Sequence, residues 1–384
     1  MVATRGSAGL GVLAAVVLLG VNLRTAVASL PPLLDEIRGD LGLSGTAAGV
    51  LTALPVLAFG ALAPLAPRLA RRHPIERVLA GCAALTAVAL ALRGAGGIGP
   101  LFAGTLLAGA GVAVAQAALP VYVRTAHPGR AGPLTGAFSA ALPLGATAAS
   151  ALAVPLADAL GSWDLSLAIW ALPAAAAALA WLARPPATVV RGPVPAPLRA
   201  DPLAWAVALY FAVQSMAFYA GLSWLPSALA DDAGYSHTSA GLLLALSSLA
   251  SIPSAFLLPV LAARSRSQVP IVAGIAAVCA LGALGLLVAE SAAPLWMTVL
   301  GIGQGGALGL ALMLPVLRGG DPATVASLTA MTLCVGYLAA ALGPWVAGVL
   351  HDLSGGWTAT LAFILAISVA QLLPGVPAAR DRTV

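Results

Sequence analysis

One stretch combines a cation with several hydrogen-bonding side chains inside an otherwise apolar run: Gly20-Val21-Asn22-Leu23-Arg24-Thr25-Ala26-Val27-Ala28-Ser29. A guanidinium in such a run is costly unless an anion, a helix C-terminus or a set of carbonyls neutralises it. Its planar fork of N–H donors suits carboxylate-like and small planar anions. Arg24 is therefore expected to capture an anion, against the plainer alternative of a structural guanidinium bonded to carbonyls. In a helix, Asn22 lies about 200° around the axis from Arg24, so the two do not share a narrow face. Asn22, Thr25 and Ser29 form one polar stripe, while Arg24 shares its face with Gly20 and Ala28, which leave room. One stripe is expected to meet helix neighbours.

Other polar side chains in apolar runs have two readings each. Gln116 can donate to a ligand or bond to a neighbouring helix. Tyr219 and Trp224 can wall a cavity, and Trp224 equally suits the aromatic belt at a membrane surface. Gln304 and Tyr337 are candidate ligand contacts of the same kind. Ser247, Ser248 and Ser251 read more simply as intrahelical bonding. Enzyme and metal chemistry find little support. No His/Cys/Asp/Glu cluster has metal-ligand spacing, no acid or histidine lies deep in an apolar run, and all 18 basic residues are Arg, so no phosphate-binding G-x-x-x-x-G-K-[ST] loop exists. No catalytic residue, metal or cofactor is expected.

The elements that must position these residues follow from composition. Sixty per cent of the 384 residues are hydrophobic, 8% are charged, and the mean hydropathy is +1.00. Soluble domains carry roughly 25% charge, and disordered chains are poor in apolar residues. Three cysteines, Cys82, Cys279 and Cys334, do not make a disulfide scaffold. A polytopic membrane protein remains. A helix needs about 20 apolar residues to cross a bilayer. Twelve runs qualify, at roughly 9–30, 45–67, 77–93, 100–123, 132–157, 165–183, 203–229, 239–262, 270–289, 294–317, 323–350 and 357–376. The first is too long for a cleaved signal peptide, lacks a small-residue cleavage site and carries Arg24. Arg24 falls on the order of 4 Å from the midplane of that run, at 1.5 Å rise per residue.

Both termini are expected in the cytoplasm. The segments on that side then hold 15 arginines, Arg5, Arg68, Arg71, Arg72, Arg77, Arg124, Arg130, Arg184, Arg191, Arg199, Arg264, Arg266, Arg318, Arg380 and Arg382. The opposite side holds only Arg38 and Arg93, and nine of the 13 acids. This bias sets orientation. It also accounts for the net charge of +5 without a nucleic-acid partner.

The longest polar connection, 184–202, is rich in proline and reads as a semi-rigid cytoplasmic linker. It separates an N-terminal six-helix half, 1–183, from a C-terminal six-helix half, 203–384. Ser44, Thr46, Gly49, Pro67 and Arg72 match Ser236, Thr238, Gly241, Pro259 and Arg264 at a shift of 192. Asp158, Gly161 and Trp163 match Asp352, Gly355 and Trp357 at 194, and Leu119-Pro120-Val121 matches Leu314-Pro315-Val316 at 195. Their shared order makes a duplication the reading. Repeated halves of this kind imply a transporter with a central site near the bilayer midplane. Prolines inside runs (Pro55, Pro120, Pro143, Pro226, Pro253, Pro315, Pro344) are expected to supply kinks, and Gly301, Gly305 and Gly309 close helix approach. Under the repeat Asn22 maps to Gln214 and Arg24 to Met216, which gives paired amides but one cation. A single positive site suits a small monovalent anion or a polar neutral solute.

On these residues the chain resembles the major facilitator superfamily, and within it the cyanate and 2-nitroimidazole transporter branch. The likeness is carried by Asn22-Leu23-Arg24, Leu33-Leu34, Leu51-Thr52-Ala53-Leu54-Pro55-Val56, Gly109-Ala110-Gly111 with Gln116, Leu119 and Pro120, then Trp224-Leu225-Pro226 and Gly301-Ile302-Gly303-Gln304-Gly305-Gly306. The family's loop pattern G-x-x-x-D-R-x-G-R-R is altered here. Pro67-Arg68-Leu69-Ala70-Arg71-Arg72-His73-Pro74 puts Arg71 at the Asp position and Pro74 at the second Gly. The charge-relay gating tied to that Asp is therefore not expected to carry over; Arg72 still fits the family position, with a structural role on the cytoplasmic side, and Arg68, Arg71 and Arg72 stand together as the gating or cytoplasmic-loop candidates.

The expectation is an all-α membrane protein of twelve transmembrane helices in two pseudo-symmetric halves. The resemblance implies secondary transport of a small anion or small planar nitrogen compound: cyanate-like, nitrate-like, a small carboxylate or a nitroimidazole. Without a buried carboxylate, exchange, uniport or symport of a protonated substrate fits better than a dedicated proton relay. The expected setting is the inner (plasma) membrane, multi-pass and monomeric, with the lipid bilayer and a small molecule as partners. The alternatives are a multidrug efflux transporter, which the lone cation disfavours for cationic cargo, and a non-transporting membrane sensor or scaffold.

Overall fold

The computed structural model describes residues 3–62, 64–127, 130–186, 198 and 201–384. Most of the expected linker, with Arg191 and Arg199, lies outside the described residues, as do the side chains of Arg5 and Arg124. The first helices are α1 (Ala3–Ala28), α2 (Leu34–Leu41), α3 (Gly45–Leu62), α4 (Leu65–Arg72), α5 (Ile75–Arg93) and α6 (Ile98–Ala126). Then come α7 (Ala131–Leu160), α8 (Trp163–Ala168), α9 (Ala171–Leu182), α10 (Pro202–Asp231), α11 (His237–Arg264) and α12 (Val269–Val288). The last are α13 (Ala293–Arg318), α14 (Pro322–Ala340), α15 (Leu342–Ser354), α16 (Thr358–Ala370) and α17 (Leu372–Ala378). Among the described residues there is no strand, as expected where backbone groups in hydrocarbon must be satisfied within one segment.

Among the described residues, twelve helical stretches are long and apolar enough to cross a membrane. Spans 2 to 12 agree with the sequence reading to within about five residues. Span 1 runs from Gly11 to Leu41 because α2 follows α1 after one short turn at Pro31–Leu33. Spans 6, 11 and 12 are each built of two successive helices, α8–α9, α14–α15 and α16–α17. Pro344 lies just beyond the break between α14 and α15, while α3, α6, α7, α10, α11 and α13 continue through their prolines.

Local chemistry sets several ends. Asp201 caps α10, accepting from Leu203 N at 2.7 Å and Ala204 N at 3.1 Å, with Pro202 in the first turn. Gly161 and Gly355, paired by the repeat, end α7 and α15 at φ 72° and 67°, a left-handed conformation that favours glycine. The match at those positions thus reflects one backbone turn made twice.

The chain clusters into two compact units, Met1–Leu30 with Leu62–Val194, and Pro31–Ala61 with Pro195–Val384. In the first, α5 packs on α6 and α9, and α1 on α7. In the second, α12 packs on α13 and α16, and α10 on α14. These are spans 3·4, 3·6 and 1·5 against 9·10, 9·12 and 7·11, so for these three pairs the repeat extends to the choice of neighbours. Span 10 confirms the role expected of its glycines. A Cβ at Gly301, Gly305 or Gly309 would lie 2.2, 2.1 or 2.6 Å from the carbonyl oxygens of Ser247, Ser251 and Ala255 on α11. Between helices in lipid, close contact of this kind supplies attraction that the hydrophobic effect does not.

Candidate functional site

In the first unit, α1 presents opposite faces to two neighbours. The Asn22 amide donates to Leu18 O at 2.7 Å and to Pro173 O on α9 at 3.0 Å. The Trp181 indole, also on α9, donates to Ala15 O at 3.2 Å. Ala15, Leu18, Asn22 and Ser29 fall within about 60° of one another on α1, so this stripe is the seam with span 6. Asn22 is 2% exposed, and its amide nitrogen donates to the two backbone carbonyls of Leu18 and Pro173.

The other face meets span 5. Gly20 lies against Ala141 and Phe138 of α7, Gly145 of α7 lies against the Val21 backbone, and Ser150 Oγ donates to Ala28 O at 3.4 Å. On a helical wheel Arg24 sits between Gly20 and Ala28, about 40° from each. Its side chain is half-buried. Both stripes of span 1 meet helix neighbours: that of Asn22 faces span 6, and that of Arg24 lies along span 5. Gln116, half-buried on α6, belongs to the same unit.

The second unit gathers Tyr219 of α10 and Tyr337 of α14. Their rings lie 6.3 Å apart, and Tyr337 makes edge contacts with Phe211 at 5.0 Å and Phe59 at 5.4 Å. Such pairs contribute about 0.5–1.5 kcal/mol each beyond the area they bury. Gln304 of α13 reaches toward α10, its Nε2 being 3.7 Å from where a Cβ on Gly221 would stand. Gln214 is buried and donates to Ser215 Oγ at 2.6 Å.

Trp224 stands apart from this set. It is fully buried, and its indole donates to Pro344 O at 2.9 Å. It stacks near His351, which lies 3.9 Å from the Trp357 ring; Trp357 in turn donates to Asp231 at 2.9 Å. Arg38 sits over the Trp224 ring at 5.6 Å. This enclosed stack is neither an exposed belt nor an open wall. Ser248 and Ser251 bond within their own helix, as the plainer reading had it, to Leu244 O and Ser248 O. Arg68, Arg71 and Arg72 are exposed on α4.

Three polar groups escaped sequence reasoning. Arg93 closes α5 and reads as a loop residue, yet it is 1% exposed and its three nitrogens have no hydrogen-bond partner among the described residues. In the first unit Tyr122 lies 3.2 Å from His127 Nε2 and against Trp181 at 4.9 Å. Burial first, then the Arg184 and Arg130 charges, holds the His127 imidazole below its ordinary pKa, which favours the neutral ring beside the Tyr122 hydroxyl. In the second unit Arg318 donates to Ala378 O at 2.9 Å and to Gln268, which itself donates to Ala262 O. Glu76 and Gln268 are both buried and open equivalent spans at a shift of 192, a correspondence that a repeat search over all buried positions finds.

Among the described residues, twelve helical stretches long and apolar enough to cross a membrane define a multi-pass membrane protein. The description of one protein family, the Major Facilitator Superfamily, fits residues 12–341, and the chain belongs to that superfamily. The chain is 35% identical to the uncharacterized transporter YycB of Bacillus subtilis (strain 168), covering 96% of this chain and 93% of that one. It is 33% identical to a 2-nitroimidazole transporter of Escherichia coli (strain K12), over 97% and 96%. Identity to the cyanate transport protein CynX of the same organism is 32%, over 90% and 91%. Among solved structures, a bacterial homolog of the human lysosomal transporter Spinster, inward-facing and occupied, superposes with a TM-score of 0.76 at 16% identity, covering 98% of this chain and 95% of that one.

Proposed function

We propose that the protein is a secondary transporter of the inner membrane that moves a small anion or small planar nitrogen compound by alternating access, with Arg24 as the anion contact. The observation that carries this reading is the half-buried guanidinium in the middle of span 1, on a face lined by glycine and alanine. Relatives named for cyanate and 2-nitroimidazole support the substrate class. Gln116, Tyr219, Tyr337 and Gln304 are assigned as further candidate substrate contacts. Asn22 and Gln214 are assigned to helix packing, and Trp224 to its aromatic stack. The six-plus-six division by the 184–202 linker, both termini in the cytoplasm, a gating role for Arg68, Arg71 and Arg72, and a monomeric state complete the proposal.

The test is uptake of cyanate, nitrate and 2-nitroimidazole into proteoliposomes. Arg24→Ala is expected to abolish anion uptake and Arg24→Lys to keep a fraction of it, since a point charge replaces a planar fork. Full anion uptake by both variants overturns the assignment.

A further inference from the structure

Arg24 occupies the strip of α1 that comes into backbone contact with α7. A Cβ added at Gly145 would stand 2.2 Å from Val21 O and 2.9 Å from the Val21 carbonyl carbon and Cα. All three are backbone atoms, which no side-chain rotation moves aside. A Cβ at Gly20 would stand 2.8 Å from the Ala141 Cβ and 3.2 Å from Phe138 Cδ2. Gly20 precedes Arg24 by one turn, Ala28 follows by one turn, and Val21 lies about 60° to the side. Span 5 therefore touches α1 before, after and beside the arginine.

We propose that Gly20 and Gly145 are positioning residues for Arg24: their missing side chains set the separation of spans 1 and 5, and so where the guanidinium meets the transported anion. This rests on the reading of Arg24 as the anion contact. A charged fork works over tenths of an ångström, and a misplacement of about 1 Å costs on the order of a hundredfold in comparable oriented contacts. A methyl group forced into either position moves α1 away from α7 by about that distance.

The experiment compares KM and maximal rate of uptake for cyanate, nitrate and 2-nitroimidazole in five variants. Gly145→Ala is expected to raise the anion KM about tenfold or more, and Gly20→Ala by less, because Ala141 and Phe138 are side chains that can give. The size-swapped double variant Gly20→Ala/Ala141→Gly moves the methyl from α7 to α1 and is expected to return KM to within about twofold of wild type, by local volume conservation. Gly136→Ala, on the same helix where a Cβ meets nothing within 4 Å, is the control and leaves KM unchanged. Folded Gly145→Ala and Gly20→Ala proteins with wild-type KM overturn the proposal, as does a double variant no better than Gly20→Ala. The fifth variant, Arg24→Ala, separates the two readings. Loss of anion uptake there with unchanged KM in the glycine variants removes only the positioning role. Wild-type uptake by Arg24→Ala, or no uptake of any probe by the wild type, removes both.

Discussion

Asp352 caps a helix that starts 307 residues before it, at Gly45. Its carboxylate accepts from Thr46 N and Thr46 Oγ1, each at 2.6 Å, and from Gly45 N at 2.7 Å. These N–H groups are among those that the first turn of α3 leaves without an intrahelical partner, and a carboxylate there also meets the positive end of the helix dipole. Gly45 and Gly49 permit the approach, since a Cβ on them would lie 3.0 Å from Gly348 O and 2.6 Å from Pro344 O. The pairing explains why span 2, early in the chain, clusters with the late helices. Asp352→Ala is expected to lower stability by about 1 kcal/mol, the usual loss for a deleted cap. Thr46→Val, which keeps the N–H bonds, should lose less. Thermal unfolding in detergent reads both, and equal loss from the two variants would contradict the cap.

Arg93 makes the opposite kind of prediction. An enclosed guanidinium with no hydrogen-bond partner among the described residues carries a desolvation penalty, and apolar residues that replace buried charges are often neutral or stabilising by about 1–4 kcal/mol. Arg93→Met is expected to unfold at or above the wild-type temperature. A fall of several degrees would show that the guanidinium is compensated in the bilayer.

The aromatic stack separates packing from transport. Trp224→Phe keeps a ring but loses the bond to Pro344 O, for an expected loss of about 1 kcal/mol. Trp224→Ala empties a fully buried site and should cost about 3–5 kcal/mol. Because Trp224 is enclosed, the Phe variant is expected to keep the wild-type KM. A changed substrate preference in that variant would return Trp224 to the binding site.

His127 gives a pH signature. Its folded pKa lies below the ordinary value of about 6.5, through burial and then Arg184 and Arg130. Between the folded and ordinary values the unfolded chain binds more protons, so stability falls as pH drops through that window. His127→Gln is expected to flatten the decline of melting temperature between about pH 7 and 5. An unchanged slope would place the titration elsewhere.

How far these features were legible depended on the residue. The spans were readable because hydrocarbon demands long apolar helices. Gly161 and Gly355 were readable as a repeat because each marks a turn that only glycine makes easily. Arg93 was misjudged: a charge at the end of an apolar run looks the same whether it meets water or is covered by neighbouring helices. Trp224 matched both a cavity wall and a belt, and its burial depends on His351 and Trp357, more than a hundred residues away.

By itself the sequence determined the twelve spans, the superfamily pattern and the two polar stripes on span 1, since length, hydropathy and the 100° helical step are properties of the local chain. Tertiary structure decided which stripe meets which neighbour. In a bilayer the lipid is as apolar as the protein interior, so the pattern of apolar residues does not mark the packed face. Asn22 toward Pro173, Arg24 along Gly145 and Thr46 under Asp352 follow from where small residues let distant backbones touch.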